Sequence, residues 1–423
     1  MNVTVTDFGA LGDGVTLNTD LIQKAIDACR ASGGGRVTVP AGIYKTGTLW
    51  LRDHVELHLE AGAELLASDD LNDYNSTDAY EQNFDCLKEG WVGKHLIIAH
   101  EIEDTAITGL GRINGNLHAF VYRVDSSPEH VYGWCHGRSA LRDEKQPRPG
   151  QLICFIECHN VKVTDVNVVD SPCWSIFLHG CERVQIRGVK IKNPIWMLNS
   201  DGIDIDSSRL VTVSDCIIET GDDAITLRGC EQRLKNENIH CEHVTVTNCA
   251  LSTGICAFRI GVGYGLIRNV TISNIAIERC LNIAQFCTAY SENGKVDIEN
   301  ILISNICADN TDRCFEMFAK NGAFIKNVTI ENIRTTSTIK NYIEATEGKI
   351  ENVKLRNIEI SFFDRAKDLH ESMLKFRGDS LLSFKGAERV ELFGVEIFGS
   401  LYGIDKTFAA CDCNGLIKEN TNF

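Results

Sequence analysis

Proline is nearly missing from this chain, six in 423 residues against 35 glycines. That balance suits many strands joined by tight turns, since proline cannot donate to a strand ladder and glycine eases bends. Basic charge is also short: 42 Lys and Arg face 58 Asp and Glu, a formal net charge of −16. Phosphate binding needs concentrated cations, so nucleic acid is not an expected partner. A long polyanion is disfavoured too, unless a local basic patch overrides the global field. No run approaches the ~18 apolar residues of a membrane span, so no membrane partner is expected. Met1 leads straight into Asn2-Val3-Thr4-Val5 without a basic start or an apolar stretch. A cytoplasmic location is therefore expected, or secretion if a leader has been removed. Oligomeric state is not legible.

What is plentiful is cysteine, 18 residues. They show no zinc rhythm; the closest spacings are Cys154/Cys158 and Cys411/Cys413. Many occupy places where an aliphatic residue is expected, as Cys216 and Cys249 do. They read as small buried hydrophobes in a reducing compartment rather than as a disulfide framework.

The dominant signal is a repeat. Nine segments align without gaps from Val161, Val184, Val211, Val244, Val270, Ile301, Val328, Val353 and Val390. The shortest step is 161 to 184 and the longest 353 to 390. Two positions on, every segment is aliphatic, from Val163 and Ile186 to Leu392. Four positions on, every segment has Asp, Gly or Asn: Asp165, Gly188, Asp215, Asn248, Asn274, Asn305, Asn332, Asn357, Gly394. Five positions on, all are apolar again. Alternation gives a strand with one face buried. Asn, Asp and Gly tolerate a left-handed backbone, so the chain bends at one fixed place in every repeat. Stacked strand–turn–strand rungs of this length make an all-β solenoid, a parallel β-helix, and one domain is expected over 1–423. Asn269-Val270-Thr271 and Asn327-Val328-Thr329 match a glycosylation acceptor, but they lie on the stacked strands and read as by-products of the repeat.

Earlier rungs are less regular; Thr105, Ile107, Gly109, Leu110 and Ile113 fit the template loosely. Residues 19–31 read as an amphipathic helix with Asn18 or Thr19 as N-cap and Gly33-Gly34-Gly35 as its stop. Such a helix would cover the exposed strand edges at the end of the stack. Residues 68–95 and 125–150, polar and rich in His, Trp and Tyr, are expected as long loops over one face.

Two short runs carry the chemistry, Asn199-Ser200-Asp201-Gly202 and Gly221-Asp222-Asp223. Asp201 and Asp223 lie one rung apart, so they are expected to stack at the ~4.8 Å strand spacing. For Asp222 and Asp223 to face one cleft the chain must turn there, which Gly221 eases. Carboxylates this close do not all ionise freely, so one stays protonated as an acid beside ionised bases. Glycoside hydrolysis needs that pairing. Asp is common in turns, and the Asp165/Asp215 column is purely structural. Two Asp runs one rung apart are what single out Asp201, Asp222 and Asp223.

With those residues in view, the chain resembles glycoside hydrolase family 28, the polygalacturonase family, over nearly its whole length. Asp7-Phe8-Gly9-Ala10, Gly12-Asp13-Gly14 and Val39-Pro40-Ala41-Gly42-Ile43-Tyr44 look like the opening of that superfamily. Asn160-Val161 to Ser171-Pro172-Cys173-Trp174 resembles its strand before the site. The resemblance implies a right-handed parallel β-helix of the pectin lyase type. It also implies inverting hydrolysis of α-linked galacturonic acid chains, with Asp222 as general acid and Asp201 and Asp223 holding and activating water. Neither metal nor organic cofactor is implied. Two family motifs are missing. Gly254-Ile255-Cys256 stands where members carry Gly-His-Gly, and Asn282 to Cys287 hold no Arg-Ile-Lys.

Asn199, Arg228 and Arg259 are candidate substrate-binding residues. Arg259 stands three residues past Cys256, where it either grips a substrate carboxylate bidentately or pairs with a nearby Asp. Cys256 reads as packing, since no base is flagged beside it. His136 and His179 read as structural, and Trp134, Trp174 and Trp196 as core more readily than as sugar platforms. The expected function is a glycosidase acting on α-linked uronic-acid or pectin-derived oligosaccharides. The rivals are a lyase or epimerase on the same scaffold, and a non-catalytic carbohydrate-binding solenoid.

Overall fold

The computed structural model describes residues 1–79, 91–124, 139–144, 147–231, 234–235, 239–290, 293–364 and 378–423. The chain divides into two compact units. The first holds 1–204 and 208–221 of the described residues; the second holds 205–207 and 222–423.

Each unit is a ladder of short parallel strands set by the alternation in the sequence. In the first, Ile107, Val163, Ile186 and Val213 pair in register, all fully buried. In the second, Val246, Ile272, Ile303, Ile330, Leu355 and Leu392 form the equivalent column. Each such side chain contributes about 1.5–3 kcal/mol on burial, which is why one apolar column per strand face suffices to stack the rungs. Parallel strands joined within one sheet cross over right-handedly, so the architecture is a right-handed parallel β-helix.

The bends fall where the sequence puts them. All nine residues of the Asp/Gly/Asn column are left-handed, with φ from 50° at Asn357 to 66° at Gly188. A second column of bends precedes each rung: Asn160, Arg183, Leu210, His243, Asn269, Asn300, Asn327, Asn352 and Arg389, with φ between 53° and 60°. Composition hides this column, because only five of the nine are Asn. In the second unit the asparagines bond along the stack. Asn305 donates to Asn274, Asn332 to Asn305 and Asn357 to Asn332, each at 3.1 Å. Asn269 and Asn327 sit in the other column, as rungs of the same device.

The helix forms over Thr19–Ala31. Asn18 precedes it, but its carboxamide bonds Leu11 and Thr16 instead of capping the helix. Ile22, Ala25, Ile26 and Cys29 are buried against the first strands of the stack. The two segments expected as loops carry short structure. Trp91–Val92 pairs with Arg148–Pro149, and Val121–Arg123 pairs antiparallel with Ser139–Leu141. The remainder of 80–90 and 125–138 lies outside the described residues, and so do His136 and Trp134. Among the described cysteines all are free thiols; Cys307 and Cys411 are exposed, Cys413 is half-buried and the rest are buried. Among the described residues no helix is long and apolar enough to cross a membrane.

Candidate active site

In the first unit, Asp201 closes a turn that hydrogen bonds pin from several sides. Asn199 is left-handed, φ 53°. Ser200 Oγ donates to the Met197 carbonyl at 2.9 Å and accepts from the Gly221 amide at 3.0 Å. Asn193 Nδ2 donates to the Ser200 carbonyl at 3.1 Å and to Ser175 Oγ at 2.8 Å. The Ser175 amide donates to the Asp201 carbonyl at 2.8 Å. Asp201 is 5% exposed. Gly221 is required by close approach: a Cβ there would stand 2.3 Å from the Met197 carbonyl oxygen. Sequence reasoning assigned that glycine to backbone freedom; the structure assigns it to space.

Arg148, which sequence reasoning missed, organises the same turn. It is buried, donates through Nη2 to Asn199 Oδ1 at 2.8 Å, and through Nη1 to the Leu198 carbonyl at 3.2 Å and the Pro172 carbonyl. Asn199, expected to touch substrate, thus spends its carboxamide oxygen on Arg148.

In the second unit, Asp222 and Asp223 are both buried. The Asp223 amide donates to Asp222 Oδ1 at 3.1 Å, and Thr253 Oγ1 donates to the Asp222 carbonyl. The Asp223 carboxylate is held by three donors. The Cys256 amide reaches Oδ1 at 3.0 Å, Arg259 Nη2 reaches the same oxygen at 3.1 Å, and Arg259 Nε reaches Oδ2. Arg259 pairs in register with Thr226 on one side and Gln285 on the other, and its Nη1 donates to Gln285 Oε1. Its guanidinium lies over the Tyr290 ring at 5.4 Å. Burial works against the Arg259 charge, but the Asp223 carboxylate more than offsets it and holds the guanidinium pKa well above its usual value. Of the two roles open for Arg259 in the sequence, the structure displays the pair with Asp223.

Arg228 stands apart from this group. Its Nε lies 3.6 Å from Asp206 Oδ2, and Asp206 Oδ1 accepts from the Cys230 amide at 2.8 Å. Cys256 is buried, and burial pushes its thiol pKa well above the ordinary value, so a nucleophilic role has no support. Asn282 Nδ2 contacts its sulfur at 3.6 Å. One rung further, Arg313 is buried and bonds Glu316, Asn282 Oδ1 at 3.2 Å and the Lys340 carbonyl at 2.6 Å. His179 is buried and stacked on Phe177. Trp174 meets the same Phe177 edge-on at 5.4 Å within an apolar cluster, and Trp196 is buried, 6.0 Å from the His118 ring. In the first unit, His54 with Glu103 and Asp104 forms an exposed imidazole–carboxylate cluster at a turn, a common surface arrangement without an ion.

The sequence model of Glycosyl hydrolases family 28 matches residues 29–372, a stretch that holds every group just described. The chain belongs to glycosyl hydrolase family 28. It is therefore a glycosidase, an enzyme that hydrolyses O-glycosyl bonds. A probable polygalacturonase of Arabidopsis thaliana is 27% identical over 379 residues, 79% of this family 28 chain and 74% of the relative. An exo-poly-alpha-D-galacturonosidase of Dickeya chrysanthemi is 31% identical over 271 residues, which span 53% of this chain but only 41% of that protein. In fold, the family 28 exopolygalacturonase of Yersinia enterocolitica superposes with a TM-score of 0.76 at 22% identity, covering 98% of this chain and 78% of the other. Within this family 28 chain the rung after the Asp pair offers a peptide N–H from Cys256 and a guanidinium from Arg259, both turned on Asp223.

Proposed function

We propose that this family 28 enzyme hydrolyses α-linked galacturonic acid chains, or related pectin-derived oligosaccharides, with inversion at the anomeric carbon. The observation that carries the reading is the unequal treatment of two consecutive carboxyl groups: Asp223 receives an Arg pair and an amide, while Asp222 is oriented by the neighbouring amide. Environments that push two carboxyl groups apart in acidity are how glycosidases obtain an acid and a base from one residue type. Asp222 is assigned as general acid, protonating the leaving glycosidic oxygen. Asp201 and Asp223 are assigned to the water that attacks the opposite face. The printed names of the Arabidopsis and Dickeya relatives support a galacturonan substrate. A net charge of −16 favours short oligomers over a long polyanion, and we place the reaction on imported oligomers in the cytoplasm.

A lyase or epimerase needs a base that abstracts a proton beside the sugar carboxylate. The two arginines singled out in the sequence are each engaged by an aspartate, Arg259 by Asp223 and Arg228 by Asp206, which favours hydrolysis. The deciding experiment is a panel of pectic oligosaccharides with wild type and Asp222→Asn. Reducing ends without an ultraviolet-absorbing unsaturated product are expected, with a loss of about 10²–10⁴-fold in the variant. Product length separates exo from endo cleavage. Full activity in Asp222→Asn would remove the assigned acid, an unsaturated product would establish the lyase, and no product from any oligomer would favour a binding protein.

A further inference from the structure

Arg259 is built into the protein more firmly than a substrate-gripping arginine needs to be. Its side chain is 11% exposed, and Nε, Nη1 and Nη2 all have acceptors on the protein. Tyr290 faces the guanidinium plane, and Gln285, which takes Nη1, lies 3.7 Å from the Cys256 sulfur. Bidentate guanidinium–carboxylate pairs are among the strongest charge-assisted contacts, and opening a buried one leaves two uncompensated charges. We propose that Arg259 is a positioning residue that keeps Asp223 permanently ionised, so that Asp223 orients the attacking water without accepting its proton, and that Asp201 is the proton acceptor.

The inference rests on the hydrolase reading above. A proton on Asp223 would have to enter a carboxylate that already accepts two guanidinium N–H groups and the Cys256 amide. Proton transfer to it would oppose a buried cation, whereas transfer to a second carboxylate would not. The step balances without another reactant. Water oxygen bonds to the anomeric carbon as the bond to the leaving oxygen breaks. The Asp222 proton goes to that oxygen, and the water proton goes to Asp201. The charged and titratable groups around Asp223 are Asp222, Arg259, Tyr290 beyond it, the buried Cys256 thiol and, on the proposed mechanism, Asp201. Glu316 follows Gln285 in register and is matched by its own partner, Arg313.

The test is the titration of the Asp223 carboxyl, followed by carbon NMR on protein labelled at aspartate side chains and assigned with Asp223→Asn. Wild type, Arg259→Lys, Arg259→Gln and Arg259→Met are compared without substrate, and their kcat and KM are then measured on acidic oligomers. In wild type the Asp223 signal is expected to stay in its ionised position down to about pH 3.5, whereas in Arg259→Gln and Arg259→Met it titrates at or above the ordinary carboxylate value of about 4. In those two variants kcat is expected to fall by about 10²–10³-fold with KM little changed, and Arg259→Lys to recover at least part of it. Arg259→Met supplies the answer if Arg259→Gln does not fold. An Asp223 that titrates alike in wild type and variants overturns the proposal. So does a variant that keeps kcat and raises KM only for acidic oligomers, because Arg259 would then grip the substrate. A wild type silent on every oligomer would sink the hydrolase reading instead, while the titration would still decide whether Arg259 holds Asp223 ionised.

Discussion

Arg148 donates to the side-chain oxygen of Asn199 across 2.8 Å, joining residues 51 positions apart. The same guanidinium ties down the carbonyls of Leu198 and Pro172. The turn that presents Asp201 is therefore held by a cation from a distant segment, not only by its own backbone. Removing it leaves buried acceptors without their donor. Arg148→Met is expected to cost about 3 kcal/mol in denaturant unfolding. It should also lower kcat, because the turn loses its fixed position. Arg148→Lys should rescue little, since one ammonium cannot reproduce the guanidinium fork. Equal stability of Arg148→Met and wild type would show that the turn holds without this clamp.

The asparagine ladder gives a prediction about order of severity. Asn332 has φ 55°, donates to Asn305 and accepts from Asn357, both at 3.1 Å. Asn332→Val loses both bonds and puts a β-branched residue in the left-handed region, a cost of about 2–4 kcal/mol. Asn332→Gly loses the bonds but not the backbone tolerance and should cost about half as much. Thermal unfolding of the pair ranks them, and the reverse order would refute the assignment of the column to backbone conformation.

Thiol reactivity should divide by burial. Burial pushes the thiols of Cys287 and Cys314 up to about 12, and a thiol rather than a thiolate reacts slowly. Cys307 and Cys411 are exposed. Alkylation of native protein followed by peptide mapping should mark Cys307 and Cys411 first. Cys154, Cys256, Cys280, Cys287 and Cys314 should be marked only after denaturation. Rapid native labelling of Cys256 would contradict its packing role.

Glu182 accepts from Arg209 at 2.7 Å, and this guanidinium holds its carboxyl below the ordinary value of 4.5. A depressed folded pKa adds stability above the unfolded pKa and loses it as pH falls through the folded value. The arginine is 43% exposed, so solvent screens the pair and the contribution is under about 1 kcal/mol. Glu182→Gln should therefore lose a little stability at pH 7 and show a shallower decline between about pH 5 and pH 3 than wild type. Parallel acid-stability curves for the two proteins would mean that the pair contributes nothing.

The fold was legible because two local signals agreed in every rung. Alternation from Val161 onward marked the buried column, and the Asp/Gly/Asn column marked one bend. The second bend column stayed hidden, since Leu210, Arg183 and His243 occupy it at a conformational cost that the stacked strands repay. Segments 68–95 and 125–150 were read as loops because short strands such as Trp91–Val92 carry too few residues to show a period. The helix over 19–31 was legible from its apolar stripe and its glycine stop, although Asn18 turned out to bond elsewhere.

The candidate site was legible only in part. Asp222 and Asp223 announce themselves as a pair, and Asp201 does so by its distance of one rung. Arg148 carried no local signal, because its partners lie on segments far along the chain. For Arg259 the sequence left two uses open. The choice fell to the pair because the strand register sets Arg259 beside Gln285 while its side chain reaches the Asp223 carboxylate. What the sequence by itself determined is the rung: period-two burial plus a left-handed bend are properties of neighbouring residues. What only the tertiary structure decided is which charge meets which. Insertions between rungs vary in length, so the register that brings Arg259 to Asp223 and Arg148 to Asn199 is settled by packing across the stack, where burial makes each unpaired charge costly.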